Sequence, residues 1–92
     1  MYSVSELTPN NSRKSFYGKA HVIHANGTVY LRSYDIIVAS VTGDGVFHRH
    51  WDDWSATTGR HISSFSDRFV GREIRKKQWD ALPVEDSPRG IY

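Results

Sequence analysis

There is no cysteine among the 92 residues. That removes a disulfide framework and any thiolate metal site, and it fits a reducing cytoplasm. No apolar run approaches the ~20 residues that a helix needs to cross a bilayer. The N-terminal stretch also lacks the apolar segment of a secretory signal. A cytoplasmic protein without membrane contact is therefore the expectation. Strong charge of either sign is missing too: twelve Lys and Arg against ten Asp and Glu leave a net +2. Such a balance permits nucleic-acid contact without requiring it, and it argues against an acidic mimic of DNA. There is no internal repeat, no low-complexity tract and no length for a second core.

What is present is the composition of a folded domain, 38% hydrophobic and 24% charged. Three Trp, five Tyr and four Phe are generous for this length, so some rings are expected on the surface. The chain is organised around one predicted helix over residues 55–70. Ser55 is placed to cap it, because its hydroxyl can accept a bond from an otherwise orphaned N–H of the first turn. Asp52 and Asp53 lie just upstream, where negative charge suits the positive end of a helix. Thr58, Ile62, Phe65 and Phe69 then recur at helical spacing as one apolar stripe, and Gly71 supplies the stop.

Before the helix the pattern alternates as strands do. Strands are predicted over 16–24, 28–34, 36–41 and 46–51. Asn26-Gly27 between the first two is a strong hairpin signal, and Thr42-Gly43-Asp44-Gly45 is a second tight turn. After the helix, residues 78–82 read as a short helical turn stopped before Pro83, with Trp79 and Leu82 covering one end of the core. The fold class is α+β: a four-stranded antiparallel meander, one main helix packed on one face, and a short C-terminal helical turn. Residues 1–14 read as an extended polar arm, 15–82 as the domain, and 83–92 as a mobile tail.

Period-two spacing places Ala20, Val22, Val29, Leu31 and Phe47 toward the helix, and Lys19, His21, Tyr30, Arg32 and Tyr34 on the free face. The third strand is apolar at Ile36, Ile37 and Val38, so its faces cannot be assigned by pattern. Aromatics beside cations suit either a single-stranded nucleic acid or a protein interface, where Tyr and Arg are enriched. Ordinary solvated tyrosines give the same pattern. Arg72, Arg75, Lys76 and Lys77 form the densest basic cluster, which is either a solvated segment or an extension of that surface.

Two constellations could carry chemistry. His48, His50 and Asp52 fall on one face of a strand, as a divalent metal site needs. The same spacing arises in a solvated strand with incidental histidines, and that reading is preferred. Arg60-His61 could join Asp52 and Asp53 as an acid–base pair, but no nucleophile, phosphate cradle or spaced carboxylate pair completes it. His61 instead suits the edge of the core stripe, hydrogen-bonded to a neighbour. No cofactor, metal or enzymatic activity is expected.

Three segments together carry a resemblance: Ser15-Phe16-Tyr17-Gly18-Lys19-Ala20 within residues 7–20, Ser33-Tyr34 and Val38-Ala39 within 31–39, and Trp54-Ser55-Ala56-Thr57-Thr58 with Arg60-His61-Ile62 and Phe65 within 51–65. In this order they resemble a family of small proteins encoded by phages, plasmids and integrative elements. The chain departs from that pattern at His48 and His50, which the family does not hold, and at Gly59, where it prefers a better helix former. The resemblance carries no catalytic residues. It implies a non-enzymatic protein that binds a host defence protein or nucleoprotein complex stoichiometrically, as anti-CRISPR proteins do. The alternative it implies is a nucleic-acid-binding regulator of the element. A homodimer is left open.

Overall fold

The computed structural model describes residues 2–9, 16 and 18–88. Five strands, β1 (Tyr2–Glu6), β2 (Ala20–Ala25), β3 (Thr28–Ser33), β4 (Ile36–Val41) and β5 (Phe47–Arg49), precede α1 (Ala56–Val70) and α2 (Lys76–Asp80). The strands form one antiparallel sheet in chain order. The α+β meander with a main and a short helix is thus present, but the sheet has five strands where the sequence predicts four. The additional strand comes from the start of the predicted polar arm. Its alternation is carried mostly by serine, so it lacks the apolar period that marks a strand. It pairs in register with β2, Tyr2 opposite Ala25 and Glu6 opposite His21, and delivers the fully buried Leu7 to the core. The rest of the arm, at 10–14, and the end of the predicted tail, at 89–92, lie outside the described residues.

The turns follow their residue types. Asn26 and Gly27 both adopt positive φ, as a two-residue hairpin with right-handed strand twist requires. Tyr34 does the same in the β3–β4 turn without being Asn or Gly. In the β4–β5 turn Thr42 donates its hydroxyl to Asp44, whose carboxylate also accepts the Val46 N–H at 3.3 Å. The Thr42 bond is the main reason that the Asp44 carboxyl is held below its usual range.

α1 begins and ends where its capping residues stand. Ser55 Oγ accepts from the Thr58 N–H at 3.0 Å, and Gly71 closes the helix in the left-handed conformation. Ile62 and Phe65 are fully buried and Phe69 half-buried. They pack on Ala20, Val22, Leu31, Ala39 and Val41 of the sheet. Burial spreads beyond a stripe because the chain after Gly71 returns across the helix. Ser63 Oγ donates to the Ile74 carbonyl and Ser66 Oγ accepts the Ile74 N–H, each at 2.8 Å. Trp79 on α2 is then sealed beneath Trp54 and Phe47, its indole N–H donating to the Asp53 carbonyl.

Candidate interaction surface

The register decides which of the expected surface residues share a face. His21 stands directly opposite Arg32, and Ile23 opposite Tyr30. Their neighbours Val22 and Leu31 point into the core against α1, so His21, Tyr30 and Arg32 lie on the opposite face. That much of the expected patch is brought together. The other two members are not part of it. Tyr34 follows the strand at positive φ, which breaks the alternation, and its ring lies 6.1 Å from His61 of α1. The Lys19 ammonium follows, 5.8 Å over the Tyr34 ring. These two exposed side chains make a separate site at the end of the sheet.

The face opposite α1 is also less bare than alternation suggests. A bulge between Leu31 and Arg32 shifts the β3–β4 register, so that Ile37 stands opposite Arg32. Ile23 and Ile37 expose none of their surface. Tyr30, Arg32 and His21 are half-buried beside them. Two of their polar atoms, His21 Nδ1 and Arg32 Nε, are buried without a hydrogen-bond partner among the described residues. Such atoms cost stability for as long as they stay unsatisfied.

The basic cluster is partly neutralised. Arg75 pairs with Glu73, and Lys76 with Asp80 at 2.6 Å. Arg72 and Lys77 are exposed on the same segment. Exposed pairs of this kind add little to stability, and they reduce the net positive field that a phosphate backbone would meet.

His48 and His50 hold the segment after α2 against the sheet. His48 Nδ1 lies 2.8 Å from the Glu85 carboxylate and its Nε2 3.2 Å from Thr42 Oγ1. His50 Nε2 lies 2.8 Å from Ser40 Oγ, and its Nδ1 2.9 Å from the Asp86 carbonyl. Val84 bridges to Arg49 along the outer edge of β5, where the Glu85 N–H donates to the Arg49 carbonyl. All four imidazole nitrogens are therefore engaged. Among the described residues no three His, Asp or Glu side chains gather as a metal site would require. The Ser40–His50 pair has the ring-atom order of a nucleophile and its base. Ser40 is only 3% exposed, however, so no substrate carbonyl can reach its hydroxyl. The Thr42 hydroxyl already donates its hydrogen bond to the Asp44 carboxylate. These contacts anchor the tail.

His61 is buried inside a second polar cluster. Its Nδ1 lies 2.8 Å from Ser33 Oγ, which lies 2.9 Å from Thr58 Oγ1, and Phe16 covers the ring edge-on at 4.5 Å. Burial, aided by the neighbouring Arg60 charge, drives its pKa down to about 4. It is neutral at pH 7 and bonded within the core. Arg60 itself is exposed.

One residue escaped the sequence reading. Arg49, between the two histidines, is 7% exposed and has no carboxylate partner in the described contacts. Its Nε donates to the Trp51 carbonyl at 2.7 Å, and Nη1 to those of Trp79 and Leu82 at 2.9 and 3.1 Å. The guanidinium also stacks 5.0 Å from the Trp79 ring. No sequence motif marks such a residue, since its acceptors are backbone carbonyls.

A family of unknown function, DUF8033, matches residues 5–81, from the second half of β1 to the end of α2. The chain belongs to that family. Curated proteins and solved structures give no match. For the DUF8033 chain, the matched stretch contains the whole sheet apart from the start of β1, both helices, and every residue of the His21, Tyr30 and Arg32 surface. It stops short of the anchored segment at 84–86. No helix among the described residues is long and apolar enough to cross a membrane.

Proposed function

We propose that this DUF8033 protein is a non-enzymatic binding protein that acts by stoichiometric contact through the sheet face bearing His21, Tyr30 and Arg32. The observation that carries this reading is the register, which sets the half-buried His21 and Arg32 directly opposite each other beside Tyr30 on the face away from α1. An arginine and a tyrosine flanking buried isoleucines have the composition of an interface hot spot. A carboxylate from a partner would pair with the half-buried Arg32 guanidinium. A catalytic role finds less support, because Ser33 and Ser40, the serines bonded to imidazole, are both buried.

The resemblance to proteins of mobile elements supports, as the class of partner, a host defence protein or a nucleoprotein complex, bound and inhibited in the manner of an anti-CRISPR protein. A nucleic-acid-binding regulator is the second reading, favoured by the exposed Arg72 and Lys77. The ion pairs at Arg75 and Lys76 weaken it. Affinity capture from host lysate, with and without nuclease, separates the two. A defence protein retained after nuclease treatment and moderate salt supports the first reading. Bulk nucleic acid released steeply with salt supports the second. With the partner in hand, Tyr30→Ala and Arg32→Ala should each weaken binding by about 1–4 kcal/mol. Unchanged affinity in both would remove the face from consideration and move the search to Lys19 and Tyr34.

A further inference from the structure

The two edges of the sheet are treated differently. The β5 edge is occupied by Val84 and Glu85, which bridge to Arg49. The β1 edge has no partner among the described residues. β1 is regular, unbulged and free of proline and lysine, devices that keep an edge from pairing, and its one charge is Glu6 at the end of the strand. Its exposed residues include Val4, an apolar side chain with 46% of its surface in solvent.

The outward hydrogen-bonding groups can be assigned. The Leu7 N–H donates to the Ala20 carbonyl at 3.0 Å, so Leu7 is in a bonded pair with β2. By antiparallel alternation Ser5 and Ser3 are as well, and the N–H and C=O of Tyr2, Val4 and Glu6 point away from the sheet. These three residues are symmetric about Val4. We infer that β1 pairs antiparallel with β1 of a second copy of this chain, with Val4 on the twofold axis.

In that register Val4 faces Val4 of the copy, and Tyr2 faces its Glu6 on either side. All three outward residues fall in bonded pairs, so each donates and accepts once. A shift by one residue would set outward groups against inward ones and lose the bonds. Glu6 and its symmetry mate are four positions apart, about 13 Å along the strand, so like charges do not oppose. Ser3 faces Ser5 of the copy. The result is a continuous sheet of twice the width, whose two His21, Tyr30 and Arg32 surfaces lie on one side. Because the β5 edges are covered, association closes at two copies and does not propagate as a filament.

The test is sedimentation across a wide concentration range, with amide exchange read by NMR. The wild-type chain should become dimeric as concentration rises. The Val4 and Glu6 amides should then slow by about tenfold or more, while those of Ser3 and Ser5, bonded to β2, stay constant. Val4→Lys places two ammonium groups on the axis and should give a monomer with an unchanged melt in dilute solution. Mixing Val4→Lys with Val4→Glu should restore a dimer containing one of each. A wild-type chain monomeric to millimolar concentration overturns the pairing. So does a dimer indifferent to Val4→Lys, or a monomer whose Val4 and Glu6 amides slow only when a foreign peptide is added.

Discussion

The Trp54 indole lies on the bare Cα of Gly59, so close that a Cβ there would stand 2.6 Å from Cε2 and nearer still to Cζ2. Glycine in a helix interior costs about 1 kcal/mol relative to alanine, and the first turns of α1 accept that cost to let the ring in. The same ring then packs on Trp79, 6.0 Å away. Gly59→Ala should therefore lower stability, by about 1–3 kcal/mol, although it improves helix propensity. In a Trp54→Ala background the same change should become neutral or stabilising by up to about 1 kcal/mol. Chemical denaturation of the four variants measures both; the same sign in both backgrounds would show that the ring is not the cause.

His61 should make stability depend on acid. Its folded pKa of about 4 lies below the ordinary histidine value of 6.5 expected for the unfolded chain. Between those values the unfolded chain binds the extra proton, so stability is complete above pH 6.5 and falls as pH drops toward 4. The loss should amount to roughly 3 kcal/mol. His61→Gln cannot titrate, and the difference between its denaturation curves and those of the wild type should shrink across that window. Parallel pH profiles would place the acid sensitivity elsewhere.

Arg49 should tolerate no replacement. Arg49→Ala leaves three carbonyls short of their donor and should cost about 2–4 kcal/mol. Arg49→Lys should recover less than half of that, because an ammonium cannot span the fork that reaches Trp51, Trp79 and Leu82. A lysine variant melting with the wild type would mean that charge alone suffices.

Core and surface should separate cleanly on melting. Phe65→Ala removes a ring with no exposed surface and should cost about 3–5 kcal/mol. Arg75→Ala removes only an exposed pair with Glu73 and should change stability by less than about 0.5 kcal/mol.

Legibility in the sequence followed how locally each feature is determined. The caps Ser55 and Gly71 and the turn at Asn26 and Gly27 depend on backbone needs within a few residues, and they stand where their residue types imply. β1 was illegible because Ser3 and Ser5 occupy the face that an apolar alternation would mark. The surface was half legible: period two correctly joins His21, Tyr30 and Arg32, and it fails at Tyr34, where a left-handed residue turns the side chain toward α1. Gly59 read as a weak helix position because its reason stands on Trp54, outside the helix. Arg49 left no trace at all, since carbonyl acceptors have no residue type.

The order of the strands has a consequence for how the chain acquires its shape. β2, β3 and β4 are joined by turns at Asn26-Gly27 and Tyr34-Asp35, so their pairing closes only short loops and needs nothing beyond Val41. Local closures of this kind are fast. On a chain emerging from the ribosome, the meander can form before α1 has been made. Its inner face, with Val22, Leu31 and Ala39, then waits uncovered for Ile62 and Phe65 to arrive. The interval between the two events is when this small protein is most open to capture by other apolar surfaces, and a slow codon run after Val41 would lengthen it.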